Sequence, residues 1–129
     1  MSDNAEYVGN LVAAIIETGK VSQENWEEFS LVLGFNGDGV NDTYGYSYDG
    51  DGRWKAFSVR PSLISKEAEA YRKWLRQKDD KPFIKMLFQF NRENNGFNAD
   101  FEYEDTSRWK VTPANIDRVI EELRPKLNR

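Results

Sequence analysis

Neither histidine nor cysteine occurs among the 129 residues of this chain. The first absence removes Ser–His and Cys–His nucleophile pairs, the imidazole general base that works near neutral pH, and the imidazole metal ligand. The second removes thiolate nucleophiles, disulfides and thiolate zinc sites. Long apolar runs are also missing, so no segment approaches the roughly 20 residues of a membrane-spanning helix. The start, Met1-Ser2-Asp3-Asn4-Ala5-Glu6, is acidic where an export signal is basic, and Leu11 to Ile16 is too short and too amphipathic for an export core. Positive charge is in deficit: 18 Lys and Arg stand against 22 Asp and Glu, giving net −4 and a pI near 5.0. That balance disfavours nucleic acid, whose phosphates require clustered cations. It suits a basic protein partner. The expectation is a cytoplasmic protein with no membrane or nucleic-acid partner.

What the chain has is aromatic mass. Aromatics make up 14% of residues, including Trp26, Trp54, Trp74 and Trp109. These supply the burial that one folded domain of residues 1–129 requires. No internal repeat, linker or low-complexity tract divides it.

The periodicity changes along the chain in a readable way. Val8, Leu11, Val12, Ile15 and Ile16 recur at helical spacing after a capping-box start at Asp3 and Glu6, and Gly19 suits the stop, so a helix is predicted over about 4–18. Ser22 can cap a short turn in which Val21 packs on Trp26. From Phe29 the period is two: Phe29, Leu31, Leu33 and Phe35 predict a strand. Asn36-Gly37-Asp38-Gly39 is a turn, Tyr44, Tyr46 and Tyr48 mark a second strand, and Asp49-Gly50-Asp51-Gly52 is a hairpin signal. Arg53 to Val59 predicts a third strand ended by Pro61. Ser62 or Ser65 opens a second helix with Ile64, Ala68, Tyr71 and Leu75 on one stripe and Trp74 beside it. That helix breaks at Lys78 to Pro82. Phe83 to Asn91 is a fourth strand, with Ile84, Met86, Phe88 and Phe90 toward the core. Asn94-Asn95-Gly96 turns the chain into a fifth strand, Phe97 to Glu104. Thr112 as cap with Pro113 at the first helical position predicts a final helix whose stripe is Ile116, Val119, Ile120, Leu123 and Leu127. The order α-β-β-β-α-β-β-α predicts an α+β fold: a mainly antiparallel five-stranded sheet with helices packed on one face.

The densest chemical feature is Asp100-Phe101-Glu102-Tyr103-Glu104-Asp105. On a strand, Asp100, Glu102 and Glu104 share a face at about 7 Å per two-residue step. Such a row repels itself unless cations lie opposite, and Lys85 and Gln89 sit on the matching face of the preceding strand. One reading is a solvated, cross-linked sheet face; the other is a partner-binding surface. A glycosidase-type carboxylate pair needs an enclosing pocket to raise one pKa, and nothing in the sequence builds one. Calcium is disfavoured too. Counted from Asn36, the fifth and sixth loop positions are Val40 and Asn41, and counted from Asp49 the fifth is Arg53, against the ligand pattern of an EF-hand. Gly37, Gly39 and Gly45 lie between strands, not between a strand and a helix, so they form no dinucleotide fingerprint. No metal or other cofactor is expected. Arg72, Lys73, Arg76 and Lys78 are expected on the solvated side of the second helix, balanced by Glu67, Glu69, Asp79 and Asp80. The tyrosines of the second strand read either as an exposed recognition ladder or as half-buried residues whose hydroxyls reach solvent.

Trp26-Glu27-Glu28-Phe29, the Tyr-rich strand, the charged helix, Lys81-Pro82-Phe83, and Gly96-Phe97-Asn98-Ala99-Asp100-Phe101-Glu102-Tyr103-Glu104-Asp105 followed by Trp109 together resemble the YezG-like family of bacterial immunity proteins, the antitoxins of polymorphic toxin systems. The resemblance covers most of the chain, and Gly-Phe-x-x-x-Phe-x-Tyr-x-Asp is its most specific piece. It implies a small cytosolic protein, with no catalytic motif, that binds and neutralises a cognate toxin domain, often a nuclease. The acidic face agrees in kind, since it can occupy a basic groove by mimicking phosphate charge. The expected contact residues are Asp100, Glu102, Glu104 and Asp105, with Asp38, Asp42, Asp49 and Asp51 as rim contributors. Two other readings stay open. One is a small-ligand-binding or regulatory domain with a pocket between helix and sheet, lined by Trp54, Trp74 and tyrosines. The other is a carboxylate hydrolase.

Overall fold

The computed structural model describes residues 3–18, 21, 25–37, 39–77 and 83–125. The elements run α1 (Asp3–Glu17), β1 (Trp26–Asn36), β2 (Gly39–Asp49), β3 (Trp54–Phe57), α2 (Pro61–Arg76), β4 (Lys85–Asn91), β5 (Gly96–Glu102) and α3 (Ile116–Leu123). The fold is α+β, in the expected element order. All strand pairings are antiparallel, and the five strands lie in the order β3-β2-β1-β4-β5. β1 is therefore central, and β3 and β5 are the two edges. No described helix is long and apolar enough to cross a membrane.

Alternation along the strands sorts the core. Phe29, Leu31, Leu33 and Phe35 of β1 and Met86, Phe88 and Phe90 of β4 face α1 and α2, and bury Val8, Leu11, Ile15, Ile64, Ala68 and Tyr71 against the sheet. Phe29 is the hub of this layer, with the rings of Trp26, Phe57, Phe88 and Phe90 centred 5.7–6.2 Å away. Full burial of each such side chain contributes about 1.5–3 kcal/mol relative to exposure. Between β1 and β2 the backbones approach so closely at Gly45 that an added Cβ would collide with the Ser30 carbonyl oxygen. Only glycine fits there.

Helices cover both faces, not one. The second face of the sheet carries a smaller core of Val32, Tyr46, Tyr48 and Leu87, closed by Val119, Ile120 and Leu123 of α3. The cause is visible in β1 and β4. Val32 and Leu87 are apolar residues at the alternate positions, and each needs a cover that α1 and α2 cannot reach.

Several local expectations shift. The last helix starts at Ile116 with Asn115 as cap, not at Pro113 with Thr112 as cap, because the Asn115 carboxamide accepts the Thr112 N–H at 2.8 Å and donates to the Lys110 carbonyl at 3.0 Å, holding 112–115 as a turn. Pro61, not Ser62 or Ser65, opens α2, since its missing N–H is no loss in a first helical turn, and β3 ends before it at Phe57, not at Val59. β5 ends at Glu102, so Tyr103 and Glu104 leave the ladder. The Gly19 stop, the Ser22 cap, the Lys78–Pro82 break and Leu127 lie outside the described residues.

Arg72 also departs from the expected solvated cluster. It is buried, donates through Nε and Nη2 to the Phe83 carbonyl at 3.0 and 2.8 Å, and donates through Nη1 to the Gly37 carbonyl at 2.6 Å. Its guanidinium lies 4.6 Å from the Phe35 ring centre and 5.5 Å from that of Phe83. It ties the β1–β2 turn to the entry of β4.

Candidate functional site

Two surfaces carry the candidate chemistry, and they share the end of the sheet where β2 begins, β4 begins and β5 ends. On the α3 side of the sheet, the register places Glu102, Lys85, Gly34 and Asp42 in one row across β5, β4, β1 and β2. Three strand spacings separate its ends by about 14 Å. The next row is Asp100, Leu87, Val32 and Tyr44.

Glu102 does not face Lys85 as an ion-pair partner. Lys85 Nζ donates instead to the Arg108 carbonyl at 3.0 Å. Glu102 accepts the N–H groups of Glu104 and Asp105, both at 3.0 Å, and pairs with Arg108 Nη1 at 2.9 Å. The backbone N–H groups of Asp105 and Glu104, then the Arg108 guanidinium, hold the Glu102 carboxyl down at about 2, against an ordinary 4.5. Glu102 is thus the knot of the turn that leaves β5. Asp105 accepts from the Ser107 N–H at 2.9 Å and hydroxyl at 2.6 Å, continuing the same turn. Asp100 accepts from Asn98 Nδ2 at 3.1 Å, and both Asp100 and Glu104 are exposed.

The other expected rim residues divide. Asp42 is exposed at the same end of the sheet, with its carboxylate over Gly34, where an added Cβ would meet it. Asp49 and Asp51 lie at the opposite end, in the β2–β3 hairpin. There Asp49 accepts the N–H groups of Asp51 and Arg53, both at 2.9 Å, and the Arg53 guanidinium bridges the two carboxylates at 2.8 and 2.9 Å. Asp38 lies outside the described residues. The structure therefore groups Asp100, Glu102, Glu104 and Asp105, places Asp42 at the same end of the sheet three strands away, and leaves Asp49 and Asp51 at the other end.

Two of the three tyrosines of β2, Tyr44 and Tyr48, do neither of the things expected of them. Tyr44 donates to the Trp109 carbonyl at 2.7 Å and Tyr48 to the Ile120 carbonyl at 2.8 Å. Gln89 Nε2 donates to the Leu123 carbonyl at 2.9 Å. With Lys85, they form a set of donors that fastens the C-terminal segment to the sheet. Burial, with the Asp42 carboxylate adding to it, pushes the Tyr44 phenol up to about 12; burial also pushes Tyr48 to about 12.

Beside this fastening lies an open cavity of about 810 Å³, bounded by Tyr44 and Tyr46 of β2, by residues 56–58, and by Thr106, Lys110 and Val111 of the loop after β5. Lys85 and Asp42 stand at its sheet end. The pocket expected between helix and sheet had a different lining. Trp54 stands edge-on to Tyr46 at 5.6 Å, near this cavity, whereas Trp74 stacks with Tyr7 at 5.3 Å in the helical layer on the opposite face. Lys110 and Thr106 carried no signal in the sequence, because the loop that presents them has no periodicity.

The chain matches no protein-family model and no curated protein.

Proposed function

We propose that this chain is an immunity protein that binds and neutralises a basic toxin domain, contributing an inert docking surface and no chemistry of its own. The observation that carries this reading is the placement of Asp100 and Glu104, exposed at an edge strand, on either side of the fixed Glu102–Arg108 knot. Carboxylates held on a rigid turn lose little conformational entropy on docking, and their field speeds encounter with a cationic surface. Asp42 and Asp105 add negative charge at the same end of the sheet, where Glu102 is paired with Arg108 and Lys85 and Lys110 stand beside Asp42. The resemblance to the YezG-like family supports the same class of partner, a nuclease domain among them, met in the cytoplasm. The neighbouring reading frame is where that partner is sought. Its toxin-like C-terminal domain should bind the purified chain stoichiometrically in calorimetry, and co-expression should restore growth to cells making the toxin. A toxin domain that neither binds nor is neutralised would sink the proposal.

A further inference from the structure

The cavity beside β2 has a use that the acidic edge does not explain. Its floor is aromatic and apolar: Tyr44, the buried Tyr46, Ala56 and Val111. Its polar groups are few: Lys85 and Lys110 are both lining residues, Asp42 is the one acid in the lining, and the Asp105 carboxylate acts on Lys85 as well. A preformed concavity of about 810 Å³ with an apolar body and a few placed charges is the general form of a small-molecule site. It stays open because α3 covers Val32, Tyr48 and Leu87 and is tied through Arg124 to the β2–β3 hairpin, leaving the start of β2 and the end of β3 to line the cavity.

The wall opposite the sheet is held in place. Trp109 sits at φ 63°, a left-handed conformation that is costly for a bulky residue. It persists there because its neighbours over-determine it. Tyr44 Oη donates to the Trp109 carbonyl at 2.7 Å, Lys85 Nζ donates to the adjacent Arg108 carbonyl at 3.0 Å, and the Arg108 guanidinium stacks 4.3 Å from the Trp109 ring centre. Strain of this kind gathers at ligand clamps. The two residues that fix the strained loop, Tyr44 and Lys85, are themselves lining residues, so the loop's fold and the cavity's shape are one arrangement.

We propose that this cavity binds a small aryl carboxylate, its ring on Tyr44, Tyr46 and Val111 and its carboxylate between Lys85 and Lys110. Ring contact is favoured because an aromatic floor gains most from a flat apolar body. An anion is favoured because a carboxylate between Lys85 and Lys110 offsets the repulsion that Lys110 adds at Lys85 and forms charge-assisted hydrogen bonds, in competition with Asp42 and Asp105. Burial and Lys110 both act to lower the Lys85 pKa, against Asp42 and Asp105, and an added anion favours its charged form.

Indole-3-acetate titrated into the ¹⁵N-labelled full chain tests this by NMR. The expected result is saturable binding with a dissociation constant of about 1 mM or lower, with amide shifts confined to residues 42–46, 56–58, 85 and 106–111. Lys110→Ala should weaken binding about three- to tenfold, and Asp42→Asn should strengthen it about twofold or more. Neutral indole-3-acetamide should bind the native chain about as weakly as indole-3-acetate binds Lys110→Ala. Both substituted residues are exposed, so each variant should keep the native spectrum, and that spectrum is the check on folding. Absence of saturable shifts up to about 10 mM, shifts centred elsewhere, or affinity indifferent to both substitutions would overturn the assignment.

Discussion

The phenol of Tyr48, on β2, donates to the carbonyl of Ile120 in α3 at 2.8 Å, joining residues 72 positions apart. Tyr48 is fully buried, and the Arg124 guanidinium lies 4.5 Å from its ring centre. Arg124 in turn donates to the Gly52 carbonyl at 3.0 Å, so the end of α3 is fixed both to the sheet and to the β2–β3 hairpin. An eight-residue helix has little stability alone. Its place on the sheet depends on these bonds and on the small apolar patch beneath it.

Tyr48→Phe keeps the ring and removes the donor, leaving the Ile120 carbonyl buried without its partner. The expected cost is about 1–2 kcal/mol, seen as a lower urea midpoint with an unchanged m-value, and as a thermal midpoint lower by roughly 3–8 °C. Amide exchange in 116–123 should accelerate more than in β1. A variant as stable as the native chain would show that apolar packing alone positions α3.

Arg72 gives a sharper contrast between buried and surface cations. Its guanidinium satisfies two backbone carbonyls while lying against Phe35 and Phe83. Arg72→Met keeps a similar stem and removes the donors. Arg72→Lys keeps the charge and loses the planar fork. Each should destabilise by about 2–4 kcal/mol in chemical denaturation. Arg118→Ala breaks only an exposed i,i+4 pair with Glu122, and should change stability by no more than about 0.5 kcal/mol. Equal effects at the two positions would contradict the clamp.

These residues mark where the sequence is legible. Strand alternation at Phe29–Phe35 and Met86–Phe90 is a local steric signal, so the sheet and its main core follow from it directly. A helical stripe such as Val119, Ile120 and Leu123 says that a face is buried but not against which side of a sheet. The clue was Val32 and Leu87, isolated apolar residues on the otherwise polar side. Arg72 is hidden in a basic run because its acceptors, Gly37 and Phe83, are backbone carbonyls that any residue supplies. The acidic stretch was legible as charge but not as a turn. β5 ends at Glu102, and what Glu102 binds is the backbone just beyond it and Arg108 six residues on.

Acid should expose that turn. Glu102 titrates at about 2 when folded, against an ordinary 4.5. A carboxyl with a depressed folded pKa stabilises fully above its unfolded value, and the contribution is lost as pH falls through the folded one. The contribution is therefore complete above about pH 5 and declines between about pH 4.5 and 2. Glu102→Gln should lower the thermal midpoint at pH 7, and its deficit relative to the native chain should shrink steadily as pH drops through that window. A constant deficit from pH 7 to pH 2.5 would assign the loss to packing and not to the ionised carboxylate.

The carboxylates of the two sheet ends should separate in a binding experiment. Asp49 spends its acceptors on the hairpin backbone and on Arg53, whereas Asp100 and Glu104 are exposed beside an edge strand. Charge acts on encounter through the field it projects, and salt screens that field over about 10 Å at 0.1 M. Asp100→Lys combined with Glu104→Lys should therefore slow association with a basic toxin domain about tenfold or more at low salt, and flatten its salt dependence. Glu102 stays intact in that variant, and its thermal midpoint checks that the turn holds. Asp49→Asn should do the reverse, loosening the hairpin in amide exchange while leaving the association rate within about twofold. Stopped-flow association at several salt concentrations reads both variants. If the Asp49 variant were the slower of the two, the docking surface would belong at the hairpin end of the sheet.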